Sequence, residues 1–296
     1  MKSYAGESRG NFGSMPSKVD TAELRKAFEI IKGLSIPTPP ALLLKLNEEL
    51  NLPMPDDQKA VELIEKDIGL AARVLQVINS PAYNLRAEIH SIEHAVRLMG
   101  LKKLKDTIVR MALRKAMDDS MPDFQYLSEF SHMVGAGAAL IAARIETIDP
   151  CDAYMAGLFH EVGAIFLSQR FPDYIQFHEE NRLRPLSLPA MEKENYGASH
   201  PAIGFLLAKH WKLPEEVCQA IYFHHSPTSD SGMTPEQADL CSTLKLGSYA
   251  ALNRYLGRQT DQSSECLSCR DASMAELMID KETLNDYLID CEKVYQ

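Results

Sequence analysis

The chain has 296 residues, of which 45% are apolar and 24% charged, with a formal net charge of −10 at pH 7. That composition is typical of a globular protein with a sizeable core, and the negative charge argues against broad binding to nucleic acids or anionic membranes. Six cysteines in a chain of this length do not make a disulfide framework. With no signal-peptide pattern and no long apolar run, we expect a soluble, cytoplasmic protein that does not bind membranes.

The first 120 residues show helical spacing of apolar side chains and no alternation typical of strands. Residues 1–18 are rich in Gly, Ser, Asn and Pro, which predicts a flexible tail. Beyond the tail, capping residues and Gly or Pro stops delimit a series of helices. The expected helices cover residues 20–33, 41–50, 57–68, 70–78, 91–99 and 101–116.

The second half is also predicted to be helical, and it follows a junction at Met121-Pro122-Asp123. Gly and Ala residues around 135–139 are expected to let helices pack closely. Residues 259–265 are polar and are expected to be mobile. One helix is expected to begin at Asp149-Pro150 and to contain residues 156–163. The others are expected at 124–146, 172–181, 188–196, 200–211, 214–224, 234–256, 274–279 and 282–291. The sequence therefore predicts an all-α protein.

An imidazole and a carboxylate stand next to each other in an apolar helical stretch, at His160 and Glu161 within residues 156–163. Burying such a pair costs on the order of several kcal/mol, as for other buried polar and charged groups, unless it is coordinated, paired or neutralised. Two interpretations follow, a metal centre or the remnant of one.

Five histidines recur along the second half of the chain, each on a predicted helix or at its end. Helices of a bundle can bring such residues to one centre. Imidazole suits zinc, iron, manganese or nickel, and a carboxylate favours iron or manganese. A single helical histidine is more often an ordinary packed or surface residue. The five are His132, His160, His200, His224 and His225.

The order of these residues resembles the HD superfamily of metal-dependent phosphohydrolases, and in particular its HDOD branch, which is largely regulatory. The likeness covers roughly residues 25–226 and rests on motifs in both halves. They are DIGLAARVL at 67–75, NSPAY at 79–83, SIEHAVRLMGL at 91–101, GLFHEVG at 157–163, HPAIG at 200–204, WKLPEE at 211–216 and the final His-His pair at 224–225.

The resemblance implies an HD-superfamily-like helical bundle preceded by an N-terminal helical subdomain. The corresponding division is the tail at 1–18, an N-terminal half at 19–120, an HD-like half at 121–257 and a C-terminal helical extension at 258–296. It also implies metal ligands, which are His132, His160, Glu161, His200, His224 and His225.

Two positions depart from the catalytic pattern of the superfamily. Glu161 stands where the family has an Asp that bridges two metals, and its extra methylene shifts the carboxylate by about 1.5 Å. The final Asp ligand aligns with Ser248, or alternatively with Asp239. The Gly-Tyr-Pro motif of the HD-GYP branch is absent after the His-Glu pair. We therefore expect a site that binds one or two ions of Fe, Mn, Zn or Ni, or none, with Glu161 as the acid if the site is active.

Three functions are compatible with this sequence. The first is a non-catalytic HDOD module of bacterial signalling, which binds a signalling protein or a small phosphorylated ligand. The second is a metal-dependent phosphohydrolase acting on a phosphoester or nucleotide, and the third is a structural domain with a metal-free histidine cluster.

Cys266 and Cys269 have the spacing of half a zinc site, but no second pair follows and incidental cysteines are the simpler interpretation.

Overall fold

The computed structural model describes residues 19–34, 45, 49, 56–66, 71–72, 74–75, 78–79, 89–100, 125–227 and 232–295. Within these residues the chain is helical and contains no strand, which confirms the predicted all-α class. The predicted tail at 1–18 and the predicted helix at 101–116 lie outside the described residues. Of the predicted helix at 41–50 only residues 45 and 49 are described, and of the one at 70–78 only residues 71, 72, 74, 75 and 78; all of these are helical.

The helices are numbered here in chain order. They are α1 (Thr21–Ile31), α2 (Asp57–Glu65), α3 (Ile92–Met99), α4 (Gln125–Ala142), α5 (Pro150–Phe159), α6 (Val162–Arg170), α7 (Tyr174–Asn181), α8 (Leu188–Tyr196), α9 (His200–His210), α10 (Glu215–Phe223), α11 (Pro235–Leu256), α12 (Arg258–Gln262), α13 (Ser264–Glu276) and α14 (Lys281–Val294).

Side-chain caps explain why many of these helices begin where the sequence predicts. The carboxylate of Asp20 accepts hydrogen bonds from two backbone amides at the start of α1, and that of Asp56 does the same for α2. Thr234 and Gln237 form a capping box at the start of α11. Leu24, Ala27 and Ile31 of α1 are buried, whereas Phe28 is 48% exposed.

The segment predicted to be mobile, residues 259–265, is instead helical and forms α12 and the start of α13. The prediction was wrong because the polar side chains of this segment have partners far away in the sequence. Glu265 accepts hydrogen bonds from the backbone amides of Leu186 and Ser187 and from the Ser187 hydroxyl. Because Leu186 and Ser187 directly precede α8, these bonds join the start of α8 to the start of α13.

Two close helix contacts depend on glycines, as the small residues of the second half predicted. A Cβ atom on Gly157 of α5 would overlap the backbone of Gly135 in α4. A Cβ atom on Gly163 of α6 would overlap the carbonyl oxygen of His200 in α9. The second contact is the more important for function, since it brings the starts of α6 and α9 together.

The ends of the described chain pack on this central group of helices. Helix α1 packs on α6 and α9, whereas α14 packs on α4 and α11. Buried Glu23 of α1 pairs with Lys193 at 2.6 Å and accepts the Ser199 hydroxyl at 2.6 Å. The division at residues 120 and 257 stays a prediction. Over the ranges described above, no helix has both the length and the apolar character needed to cross a membrane.

Candidate metal centre

His160 and Glu161 lie at a junction between two helices, not inside one helix as the apolar sequence around them suggested. Helix α5 ends at Phe159 and α6 begins at Val162. Glu161 has φ −97° and ψ 2°, a sparsely populated backbone region that often holds active-site residues. Its carboxylate makes no capping hydrogen bond to α6. The chain therefore turns at this point, and the carboxylate is free to face the histidines.

His200 is the first residue of α9 and is fully buried. Its Nδ1 lies 2.8 and 2.9 Å from the two carboxylate oxygens of Glu192 in α8. Its Nε2 lies 3.7 Å from Oε2 of Glu161. The ring thus stands between two acids, and each of its nitrogens faces one of them.

His224 and His225 directly follow α10 and complete the cluster around His200. The Nε2 atoms of His224 and His225 lie 3.2 and 3.1 Å from Nε2 of His200. The Nδ1 of His224 lies 2.7 Å from the carbonyl oxygen of Ile221, one turn earlier. In the same way, the Nδ1 of His160 lies 2.6 Å from the Gly157 carbonyl oxygen.

These contacts fix where the protons of the neutral rings lie. Carbonyl and carboxylate oxygens can only accept, so Nδ1 of His160, His200 and His224 each carries the proton. The Nε2 of each ring then presents a lone pair. The lone pairs of His200 and His224 face each other across 3.2 Å, an arrangement that repels unless a cation or an extra proton lies between them.

The spacing of these atoms also suits a shared ion. Ligand atoms of Glu161, His200, His224 and His225 all lie within 4.8 Å of one another. Two ligands bound at about 2.1 Å with tetrahedral angles are about 3.4 Å apart. The separations of 3.1, 3.2 and 3.7 Å around Nε2 of His200 bracket that value. The buried histidine and glutamate cluster can therefore hold a metal ion.

His160 lies at the edge of this group. Its Nε2 is 3.7 Å from Oε1 of Glu161 and has no hydrogen-bond partner, although the ring is buried. Its ring packs edge-on against His224, with ring centroids 5.3 Å apart. A buried nitrogen without a hydrogen bond is costly, and a nearby ion would satisfy it.

Two residues of the site were not predicted from the sequence, His178 in α7 and Glu192 in α8. The Nε2 of His178 lies 3.2 Å from Oε2 of Glu161. Both residues sit in helices rich in other polar side chains, where a single His or Glu gives no signal. Tyr174, the first residue of α7, donates its hydroxyl to Glu192 at 2.5 Å.

The other residues proposed from the sequence lie in different surroundings. The Nδ1 of His132 in α4 is 3.2 Å from the Tyr154 hydroxyl, and His132 does not belong to the group of four ligands. Ser248 lines a cleft beside His225, whereas Asp239 accepts a hydrogen bond from Thr147 at an exposed position. Of the two alternatives for the final acid, the position next to the cluster therefore carries a hydroxyl.

The cleft has two adjoining lobes that share four lining residues, Pro185, His225, Ser248 and Leu252. Glu161, His178 and Arg182 line one lobe. Lys245, Tyr249, Cys266 and Cys269 are among the residues that line the other. The histidine cluster is thus buried but lies at the floor of a cleft.

Cys266 and Cys269 belong to the cleft wall and not to a group of metal ligands. The thiol of Cys266 points to the carbonyl oxygen of Leu183 at 3.7 Å. Burial raises the pKa of Cys269 to about 11, which keeps it a neutral thiol. Within the described part of the chain, the groups spaced for a metal contain no cysteine.

The charges of the site support one another. Burial by itself would raise the pKa of Glu161, but the rings of His200 and His178 outweigh it and hold that pKa well below its usual value. Burial would lower the pKa of His200, but the carboxylates of Glu192 and Glu161 outweigh it and raise that pKa. An anionic Glu161 beside a basic His200 is ready to bind a cation in place of a proton.

We expect the metal-free protein to lose thermal stability as the pH falls from 7 to 5. Burial, together with neighbouring imidazoles, lowers the pKa of His160, His224 and His225 in the folded protein. Below the unfolded pKa of about 6.5, the unfolded chain therefore binds more protons, and stability falls by up to about 1.4 kcal/mol per pH unit per histidine. His200, whose pKa is raised, contributes stability that is complete below that pH.

Melting temperatures in the presence of a chelator, measured at half-unit steps from pH 7.5 to 5, check this expectation. His224→Gln should flatten the dependence, since it removes one of the three groups. A melting temperature that stays constant or rises as the pH falls would contradict the assignment of neutral, buried rings.

Comparison with known proteins identifies the family. The sequence profile of the HDOD domain matches residues 36–227, which include His160, Glu161, His200 and the final His-His pair. An uncharacterized protein of Treponema pallidum is 25% identical over 196 residues, 64% of this chain and 38% of that protein. The protein YuxH of Bacillus subtilis is 24% identical over 130 residues, 44% of this chain and 32% of that protein. The chain thus spans about a third of the length of these curated relatives.

Solved structures show the same fold. An HDOD domain protein of unknown function from Geobacter sulfurreducens has a TM-score of 0.67 and 25% identity, covering 93% of this chain and 97% of that one. A candidate phosphohydrolase from Shewanella amazonensis has a TM-score of 0.64 and 21% identity, covering 92% and 94%. A candidate signal transduction protein from Marinobacter aquaeolei also has a TM-score of 0.64, with 22% identity, covering 93% and 63%. The chain belongs to the HDOD family.

Proposed function

We propose that this protein is a regulatory, non-catalytic module of a bacterial signalling system whose histidine cluster binds one divalent transition-metal ion. The observation that carries the proposal is the donor set around Nε2 of His200. It contains the Nε2 atoms of His224 and His225 and a single carboxylate, that of Glu161. This nitrogen-rich set is suited to holding an ion of zinc, iron, nickel or manganese.

The same donor set argues against efficient hydrolysis. A hydrolytic centre needs an open coordination position, and centres with two ions use carboxylates to bridge and balance them. Here the second acid, Glu192, accepts a hydrogen bond from Nδ1 of His200, on the side of the ring away from the cluster. The position beside the cluster that aligns with a further acid holds Ser248, which has no carboxylate. A bound ion would accept the facing lone pairs of the buried rings and balance the negative charge of Glu161, which favours a structural or sensing role.

The alternative function is a metal-dependent phosphohydrolase, and one observation favours it. The cleft reaches Glu161 and His178 and is lined by the guanidinium-bearing Arg182, a residue type that binds phosphate oxygens well. The neighbour from Shewanella amazonensis, named as a candidate phosphohydrolase, shares the fold. A small phosphorylated ligand in this cleft, or a signalling protein at its rim, is the partner that we propose for either function.

Elemental analysis followed by a hydrolysis assay separates these functions. We expect about one divalent ion per chain after loading, and no turnover of phosphomonoesters or phosphodiesters with Mn²⁺, Fe²⁺ or Ni²⁺ above the rate of His160→Ala. His94→Ala is the matched control, because His94 is exposed on α3. Metal-dependent turnover that His160→Ala abolishes and His94→Ala retains would establish the hydrolase instead. If the protein takes up no metal, the histidine cluster is a metal-free remnant of a metal site.

A further inference from the structure

Glu192 is a fully buried acid whose contacts are all within the protein core. It has an exposed fraction of 0%. Its oxygens accept hydrogen bonds from the backbone amide of His200 at 2.9 Å, from Nδ1 of the same residue and from the Tyr174 hydroxyl. Three donors thus hold the carboxylate, which lies on the far side of His200 from His224 and His225.

The three rings with fixed protons are not held alike. His160 and His224 donate Nδ1–H to neutral carbonyl oxygens of their own chain segments, three residues earlier. His200 donates to a carboxylate from a different helix. A carboxylate on Nδ1 fixes both the tautomer and the orientation of a ligand histidine and makes its other nitrogen a stronger ligand.

We propose that Glu192 is the positioning residue that keeps His200 as an Nε2 metal ligand, and that Tyr174 holds Glu192 in place. The inference rests on the metal site proposed above. It assigns to α7 and α8, which supply Tyr174 and Glu192, control over how tightly the cluster binds its ion. Although Glu192 lies within 4.8 Å of ligand atoms of His178 and His200, its engaged oxygens make it a support for a ligand and not a ligand itself.

Glu192→Gln tests the inference in the metal-free protein. A glutamine replaces one of the two accepting oxygens with an NH2 donor. Because Nδ1 of His200 lies 2.8 and 2.9 Å from the two oxygen positions, that donor faces Nδ1 in either orientation of the amide and disfavours a proton there. We expect the His200 ring to lose its fixed Nδ1–H tautomer, read from imidazole ¹⁵N shifts at alkaline pH. His160 and His224, which are bound to carbonyl oxygens, should keep theirs and serve as internal references.

The same variant should bind metal more weakly. Loss of such a supporting group typically lowers affinity by about 10–100-fold, and a zinc titration measures the change. A changed visible spectrum of the Co²⁺-loaded variant would show that the geometry around the ion has changed as well. Tyr174→Phe keeps the ring and the carboxylate, so we expect a smaller loss of about fivefold, and this variant tests the inference if Glu192→Gln does not fold.

Glu23→Gln is the matched control, because Glu23 is also a buried acid beside the start of α9. It accepts hydrogen bonds from Ser199 and pairs with Lys193, and it makes no hydrogen bond to a ring of the cluster. We expect it to bind zinc as the wild type does. Equal losses in Glu23→Gln and Glu192→Gln, or an unchanged His200 tautomer in Glu192→Gln, would overturn the inference. If the wild type bound no metal, the proposed function would fail, and the ¹⁵N measurement would still decide the role of Glu192.

Discussion

Replacing His200 with Ala is expected to abolish metal binding at the cluster and to destabilise the metal-free protein by about 3–5 kcal/mol, the usual cost of breaking a buried ionic pair. The ring is the shared neighbour of Glu161, His224 and His225, and its removal leaves the carboxylate of Glu192 buried without its imidazole partner. Changes to groups that merely hold a ligand already cost about 10–100-fold in affinity, so loss of the ligand should exceed that.

Calorimetric zinc titration and urea unfolding in the presence of a chelator measure the two effects separately. His94→Ala, at an exposed position on α3, should change neither. If His200→Ala bound zinc within about tenfold of the wild type, His200 would not be a ligand, and the arrangement of Nε2 atoms described above would not be a metal site.

Replacing Gly163 with Ala should destabilise the protein by about 3 kcal/mol, at the upper end of the usual cost of overpacking a core. The added Cβ would overlap the backbone carbonyl oxygen of His200, and backbone atoms cannot rotate away as a side chain can. Helices α6 and α9 must therefore separate. Since Glu161 precedes α6 and His200 begins α9, we also expect zinc affinity to fall.

Gly204→Ala is the control for this effect, because Gly204 lies on α9, one turn beyond His200. The nearest atom to its added Cβ is Cγ2 of Ile221 at 3.0 Å, which belongs to a side chain. We expect a loss of less than about 1 kcal/mol, since a side chain can give way. Thermal melts and zinc titrations of both variants measure the changes in stability and in zinc affinity. Equal losses in Gly163→Ala and Gly204→Ala would contradict the special role of the contact at Gly163.

The sequence predicts most helix ends well, because caps are local. Asp20, Asp56 and Thr234 each cap a helix through bonds within three residues. The wrong prediction at 259–265 has the opposite cause. Glu265 is bound to Leu186 and Ser187, 79 and 78 residues away, and no local pattern reveals such a contact.

The residues of the candidate site were likewise predictable only in part. His160, Glu161, His200 and the pair at 224–225 stand out in the sequence by composition and family motifs, and the structure brings them together. Glu192 does not stand out, because it is a single acid in a polar helix whose burial depends on how α8 packs. The break between α5 and α6 was equally hidden, since the residues around it are apolar and suited to one continuous helix.

A crystal structure of the zinc-loaded protein, with diffraction recorded at the zinc absorption edge, tests the central claim most directly. The proposed site predicts one anomalous peak in the cluster, about 2.0–2.3 Å from the Nε2 atoms of His200, His224 and His225 and from an oxygen of Glu161. Crystals grown with saturating zinc that show no peak there, or a peak bound by Glu192 on the Nδ1 side of His200, would contradict it.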